Sequence, residues 1–596
     1  MKRKTSQPLL PAHKKAGNGA MYDLFPSFPF KDGTISTGYE SLSHALSKER
    51  VVILDGYIGV DWKEVSTSLS AHLTAQGLKV ATLNVGNCLK DRKEIQDLVR
   101  PFMGENESIF GYKTTLSLSD FFDATKLAML TVDGSADITL VYGTGAGLCG
   151  LDGFLVYLDL PKNELQYRMR AGEVFNLGND QPLPPKTTYK RFYFVDWVVL
   201  NKEKKRLLPL AKAVVDQQRP NRPTWTTGDA LRFNLKEMSA NYFRVRPWFE
   251  PGVWGGSWMK ERFSSLNPNV PNYAWSFEMI VPENGLVFES NGTLLEVSFD
   301  MLMYQEQKNV LGKAADRFKD EFPIRFDFLD TFNGGNLSVQ CHPSPKYIRD
   351  QFGENFTQDE TYYIMDAGED ADVYLGFHKD IDPQMFRKDL EHSFETKEKL
   401  DVEKYVQKLP SKKHELFLIP HGTVHCSGIN NMVLEISATP YIFTFKMYDW
   451  QRLDLDGTPR PLNIEHAFNN LDFSRKGQVV TDTLVSKPRM TESGKDWKKF
   501  HLPTHRDHFY DIVRYEFDGE IEIETQGQCH ILMLVEGEQI MLHPPSMPAT
   551  NFNYAETFAV PAAAKKYRLT NLSKKTAKVI LSHVKENACK PNETCL

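Results

Sequence analysis

A single change of hydrophobic period, near Thr224, constrains the fold of this chain more than any other feature. Before it, short apolar runs at 51–56, 79–83, 137–142 and 153–158 alternate with amphipathic stretches such as 62–76. Strands alternating with helices predict a parallel α/β sheet. After it, helical periodicity thins out and β-branched or aromatic runs between turns take over, at 361–365, 417–419, 432–436 and 441–445. That pattern predicts a barrel of antiparallel strands. A charged helical segment at 391–406 reads as an insertion into it. From about Leu471, runs at 508–517, 530–535 and 578–583 predict a second, smaller β barrel. The expected class is therefore α/β plus all-β, with an α/β domain over 21–223, a first barrel over 224–470 and a second over 471–596.

Composition narrows the function classes. Of 596 residues, 41% are hydrophobic and 25% charged, as in an ordinary globular protein. A net charge of -6 gives no reason to expect nucleic acid or an anionic membrane as partner. The apolar runs all fall short of the ~18 residues a membrane span requires. Seven scattered cysteines, with no Cys-x-x-Cys pair, predict free thiols and a reducing, cytoplasmic setting. Residues 1–20 are basic but hold no apolar segment, so they read as a solvated, disordered tail and not as a secretory signal.

The chemistry concentrates in the second half. In Leu337-Ser338-Val339-Gln340-Cys341-His342-Pro343, alternation places Gln340 and His342 on one strand face. Glu360 opens the next strand-like run, and His425 follows a Pro420-His421-Gly422 turn. Two imidazoles, a carboxylate and an amide oxygen make a nitrogen/oxygen set suited to zinc or a similar divalent ion. Cys341 and Cys426 flank these positions and should point away from the metal, into the barrel wall.

These segments resemble type I mannose-6-phosphate isomerases, zinc enzymes built on the cupin double-stranded β-helix. The matching stretches are Val253-Trp254-Gly255-Gly256, Phe322-Pro323-Ile324, Leu329-Asp330, 337–343, Glu360, 420–425 and Tyr448-Asp449-Trp450. The resemblance implies Gln340, His342, Glu360 and His425 as zinc ligands and Glu435 as an active-site glutamate. It implies a small-molecule sugar phosphate as partner and a metal-free, structural second barrel. Three usually basic positions differ: Asp327 and Gln358 stand where lysines are expected, and Lys446 where an arginine is. Lys446 and Arg452 are then the candidate cations for a substrate anion. The implied reaction is aldose-ketose isomerisation through an enediol. A non-catalytic sugar- or metal-binding cupin and an iron oxygenase are the alternatives, although the oxygenase set would leave Gln340 without a role.

The front half carries a second motif. Residues 54–63, Leu-Asp-Gly-Tyr-Ile-Gly-Val-Asp-Trp-Lys, lie at a strand-to-helix turn and loosely resemble the phosphate loop of nucleoside-kinase-like P-loop folds. Asp61 and Trp62 stand where the last glycine and the lysine belong, so a degenerate, non-catalytic domain is expected; a shifted loop using Lys63 or an unrelated α/β unit are the alternatives. Gly143-x-Gly145-x-Gly147 misses the dinucleotide spacing and reads as a loop. His501, His505 and His508 lack partners at ligand spacing and read as surface histidines.

Overall fold

The computed structural model describes residues 1–14, 22–104, 109–453, 457 and 460–590. The chain forms two compact units, one of Met1–Gly17, Phe25–Met238 and Pro282–Glu306, the other of Asn18–Leu24, Ser239–Val281 and Gln307–Leu596.

The first unit is built on a seven-stranded sheet ordered Ser36–Thr37, Thr224–Thr227, Ala213–Asp216, Phe154–Asp159, Val51–Gly56, Ile138–Tyr142, Val80–Asn84. The last five are parallel, with Val51–Gly56 at their centre. Except at the half-exposed edge strand Val80–Asn84, their near-continuous apolar runs are those of strands buried on both faces. The helix Trp62–Ala75 starts where Asp61 accepts a hydrogen bond from the Glu64 amide, an N-cap that satisfies one of the free donors of its first turn. The glycine cluster is a loop, as expected, with a physical purpose. Asp55, at the end of the central strand, accepts hydrogen bonds from the amides of Gly145 (2.9 Å), Gly147 (2.7 Å) and its neighbour Gly56 (2.6 Å).

Two boundaries differ from expectation. Thr224–Thr227 pairs antiparallel to Ala213–Asp216, which brings it and the following helix Gly228–Ser239 into the α/β unit. The hairpin of Gly285–Ser290 and Thr293–Ser298 belongs there too. Its Glu296 and Ser298 amides donate to Asp216 and Asp159, carboxylates at the ends of parallel strands. Residues 1–14 are not the expected solvated tail. Arg3 pairs with the buried Glu164 at 2.8 Å, the Lys4 amide donates to the Tyr167 carbonyl, and Leu10 is buried against Val287 and Leu294. An apolar Leu10, one countercharged contact and a backbone hydrogen bond supply what a purely basic tail would lack.

The second unit holds four antiparallel sheets. In the first pair, a six-stranded sheet runs Leu416–Ile419, Glu360–Ala367, Asn431–Ala438, Ile324–Asp330, Trp275–Met279, Trp248–Glu250. A five-stranded sheet runs Val406–Pro410, Asp372–Phe377, His425–Ser427, Val339–Cys341, Phe445–Tyr448. The inserted helix is Pro383–Thr396, earlier than the charge pattern predicts, because Asp382 caps it and Lys397 ends it at a left-handed φ of 65°. The other pair contains Tyr510–Phe517, His530–Glu536 and Ala577–Val584, as the apolar runs predict. His508 is not a surface residue: it is buried, stacked on Tyr510, and burial pushes its pKa down to about 3. Among the described residues no helix is long and apolar enough to cross a membrane.

Burial raises the Asp55 pKa from the usual aspartate range to about 7, against its three amide donors. Between those two values the native state holds more protons than the unfolded chain, so this group's contribution to stability falls as pH rises. Urea unfolding from about pH 5 to pH 7 should show wild type losing ground against Asp55→Asn, by at most about 1.4 kcal/mol per pH unit. Parallel profiles for the two proteins would remove Asp55 from the account.

Candidate metal centre

The two sheets of the first pair meet through side chains. Gln340 and His425 are register partners on the five-stranded sheet, and His342 lies two residues beyond Gln340 on the same face. Glu360 opens its strand on the facing sheet. His342 Nε2 lies 3.0 Å from Glu360 Oε1, and His425 Nε2 lies 3.2 Å from Glu360 Oε2. Both imidazoles are completely buried, and the candidate ligand atoms of the three residues all lie within 4.8 Å of one another.

Each imidazole is oriented from behind. His342 Nδ1 lies 3.0 Å from the Phe443 carbonyl and His425 Nδ1 lies 2.9 Å from the Thr423 carbonyl. A carbonyl only accepts, so both Nδ1 atoms donate from behind and both Nε2 atoms point at Glu360. A nitrogen facing a carboxylate at this distance requires a proton or a cation between them. His342 Nε2 and Glu360 Oε2 have no hydrogen-bond partner. Gln340 completes the set with its amide 3.3 Å from His425 Nε2, while the Ser338 hydroxyl donates to its oxygen at 2.9 Å. Turning that amide over would offer its oxygen to the same centre and keep a hydrogen bond to Ser338. The donor set, the second contacts behind each histidine and the unpartnered His342 Nε2 and Glu360 Oε2 all fit a divalent ion such as zinc.

Charge points the same way. The six-stranded sheet carries two polar rows across its middle strands. Arg325, Ser437 and Glu360 are register neighbours in one, and Asp327, Glu435 and Tyr362 in the next. Arg325 contacts Glu435 directly, donates to the Ser437 hydroxyl at 2.6 Å and lies 3.4 Å from Glu360. Three buried carboxylates, Asp327, Glu360 and Glu435, thus surround one guanidinium, leaving a formal excess of two negative charges among these groups. Without a cation, acids relieve such an excess by holding protons. Burial pushes Asp327 up to about 7, with Glu360 and Glu278 adding to it and Arg325 opposing. Glu435 is raised well above the carboxylate range, first by burial and then by Asp327 and Glu360. Burial opposes the ionised form of Glu360 as well, but the two imidazoles outweigh it and hold that carboxylate well below its usual range. A divalent ion would balance the excess.

The predicted residues divide into two groups. Gln340, His342, Glu360 and His425 come together, with Glu435 in the adjoining row. Lys446 is the register partner of Gln340 and is half-buried. Arg452 is spent elsewhere: its guanidinium pairs with Asp449 and donates to the Asn336 carbonyl at 2.6 Å. Cys341 and Cys426 are buried, as their place in the alternation requires. Arg325, Ser437 and Tyr362 are the contributors that motif reading passes over. The signal for them was the strand period, since residues two apart from Asp327, Glu435 and Glu360 share their face.

Comparison with known proteins gives two results. A domain family described as a domain of unknown function (DUF8485) matches residues 38–240. The chain is also similar, over about half its length, to curated mannose-6-phosphate isomerases. One, from Streptococcus mutans, is 27% identical over 304 residues, 48% of this chain and 82% of the relative. Another, ManA of Bacillus subtilis, is 24% identical over 323 residues, 51% of this chain and 89% of the relative. Among solved structures, a Bacillus subtilis mannose 6-phosphate isomerase is similar over 58% of this chain and 100% of its own, at 19% identity and a TM-score of 0.46. A zinc-bound mannose 6-phosphate isomerase is similar over 58% of this chain, at 14% identity and a TM-score of 0.42.

His342→Ala and His425→Ala should each strip the metal and leave the sheets folded, because each removes a ligand and little core volume. Metal content by mass spectrometry, alongside circular dichroism, tests this. Adding zinc at one hundred times its Kd should stabilise wild type by about 2.7 kcal/mol and leave both variants unchanged. A variant that keeps stoichiometric metal would refute the assignment at that position.

Proposed function

We propose that this chain is a metal-dependent aldose-ketose isomerase of the cupin class, interconverting mannose 6-phosphate and fructose 6-phosphate, or a related sugar phosphate pair, through an enediol. The observation that carries the reading is the pair of buried imidazole Nε2 atoms meeting Glu360, with Glu435 in the next row. The names of the curated relatives support the same reaction.

His342, Glu360, His425 and the Gln340 amide would hold the ion. When bound, a divalent ion supplies Lewis acidity to sugar oxygens and offsets the charge that grows on them during enolisation. Glu435 is the proton carrier. It removes the proton from C2 of the aldose and returns it to C1, while a proton passes between the two oxygens and yields the ketose. Burial beside other carboxylates makes Glu435 a stronger base than a solvated glutamate, and Arg325, which opposes that rise, aims it. Lys446, opposite Gln340, is the cation for the phosphate. Arg452, tied to Asp449 and Asn336, acts through the loop it braces.

The α/β unit reads as a degenerate P-loop-kinase-like domain. The central position of its first parallel strand supports this, as does the fate of each anion-binding element. Asp61 caps the helix where a phosphate would sit, and the Arg168 guanidinium is spent on the Gly59 carbonyl at 2.9 Å and on Glu164. Calorimetry on the full chain should show no binding of ATP with magnesium; a low-micromolar Kd (about -8 kcal/mol) would overturn this part. A cytoplasmic site of action is supported by six free, buried cysteines among the described residues.

A coupled assay of the zinc-loaded chain with mannose 6-phosphate and fructose 6-phosphate tests the main reading. Glu435→Gln should lower kcat by roughly 10²- to 10⁴-fold with metal retained. Lys446→Ala should lower kcat/KM by about 1.5–3 kcal/mol, and Lys446→Arg should keep or raise it. Zinc-loaded protein without turnover on either sugar would leave the chain a binding protein.

A further inference from the structure

Three polar atoms beside the metal centre are buried and unspent. Asp327 Oδ1, Gln358 Oε1 and the Tyr362 hydroxyl have no hydrogen-bond partner, and their residues are 2%, 1% and 0% exposed. A buried polar group left unpaired costs about 1–3 kcal/mol, so three in one place call for a purpose. Asp327 and Tyr362 flank Glu435 in the same register row, so all three side chains leave the sheet on the face that carries Glu360. Gln358 is two residues from Glu360 and donates its amide nitrogen to that carboxylate at 2.8 Å. A carboxylate accepts, so the amide nitrogen must face it and the Gln358 oxygen must face away. The Asp327 oxygen approaches the Arg325 Nε no nearer than 3.8 Å, a charge contact without a hydrogen bond.

We infer that Asp327, Gln358 and Tyr362 form a subsite for substrate hydroxyl groups, two acceptors and one hydroxyl set around the proton carrier. The inference rests on the isomerase reading for the identity of its ligand as a sugar, and it adds which part of the sugar is read. The chemistry that satisfies two acceptors and a phenol at once is a chain of neighbouring alcohols, each able to donate and accept. It is not a phosphate: an anion placed against Asp327 and Gln358 Oε1 would meet only acceptors, with Glu360 and Glu435 behind them. The phosphate end must therefore lie away from this row, toward Lys446 on the facing sheet. Selectivity comes from the unpaired state itself. A sugar lacking the matching hydroxyl leaves a buried acceptor unsatisfied, so discrimination should exceed what shape alone provides.

The test separates this from turnover. Mannitol 6-phosphate, which cannot isomerise, and its deoxy analogues at successive carbons are titrated into the zinc-loaded full chain by calorimetry. In wild type at least one deoxy analogue should bind roughly 10- to 100-fold more weakly than the parent. Gln358→Met and Tyr362→Phe, both close to the native volume, should weaken the parent by a similar factor with zinc content unchanged. Each should also abolish the penalty for one deoxy position, since the partner of that hydroxyl is gone. Asp327→Asn, which keeps an oxygen, should bind more tightly than Asp327→Leu. If all deoxy analogues bind wild type as well as the parent does, the subsite is wrong, whatever the variants do. Equal losses for every analogue in a variant also overturn it, because that pattern reports altered packing. Hydroxyl-dependent binding without isomerase turnover would retain the subsite and reject the reaction.

Discussion

Everything distinctive in the second unit depends on one carboxylate held between donors on one side and two imidazoles on the other. Glu360 lies within 3.2 Å of the Nε2 atoms of His342 and His425, which reach it from the facing sheet. On its own sheet it takes the Gln358 amide and lies beside Arg325. A buried carboxylate is costly unless its lone pairs are filled. Here two positions face imidazole nitrogens, so the arrangement is complete only with protons or a cation between them. The pairing of the sheets and the readiness for a metal are thus one feature, since the groups that close the space between the sheets are the groups that would hold the ion.

The same carboxylate governs its neighbours. Arg325 is shared among Glu360, Glu435 and Asp327, and no single guanidinium neutralises three acids in a low-dielectric interior. The rise of Asp327 and Glu435 is the protein's response when only protons are on hand. A divalent ion would change that balance by releasing protons as it binds, which couples metal affinity to pH through groups that are not themselves ligands. Basic residues at positions 327 and 358 would lessen the charge excess by other means. Asp327 and Gln358 keep the excess and leave acceptors unpaired, a combination that suits a ligand bringing hydroxyl groups.

Much of this was legible in the residues. The change of period near Thr224 separates parallel from antiparallel strands, and alternation along 337–343 and 432–436 fixes which side chains share a face. Alternation puts Gln340 and His342 on one face; that Glu360 and His425 join them was implied by the resemblance to type I mannose-6-phosphate isomerases. What the chain could not disclose locally was register. Arg325 stands between apolar neighbours, and only its pairing with Ser437, itself paired with Glu360, makes it part of the site. Arg452 failed as a free cation for the opposite reason, because Asp449 three residues earlier is close enough to claim it. His508 misled because burial depends on the neighbouring sheets and not on the polar residues around it in the sequence. The tail was misread because Leu9 and Leu10 are too short a run to announce a core contact.

In the α/β unit, exposed backbone amides and buried ammonium groups are met by carboxylates of the chain itself. Glycine-rich turns and helix starts expose backbone amides that favour negative charge. Asp55 occupies the amides of Gly145 and Gly147, and Asp61 occupies the start of the helix Trp62–Ala75. Asp300 lies 3.0 Å from each of the buried Lys162 and Lys204 ammonium groups, and Asp159 lies 3.1 Å from Lys204. Each of these acids is covalently part of the chain, so it occupies its site at an effective concentration no free phosphate can match. Displacing one would also expose a buried charge, at a cost of several kcal/mol (~3–5 kcal/mol for a broken buried pair). These contacts hold the hairpin 285–298 and Asp300 against the carboxyl ends of the strands, at Asp159 and Asp216.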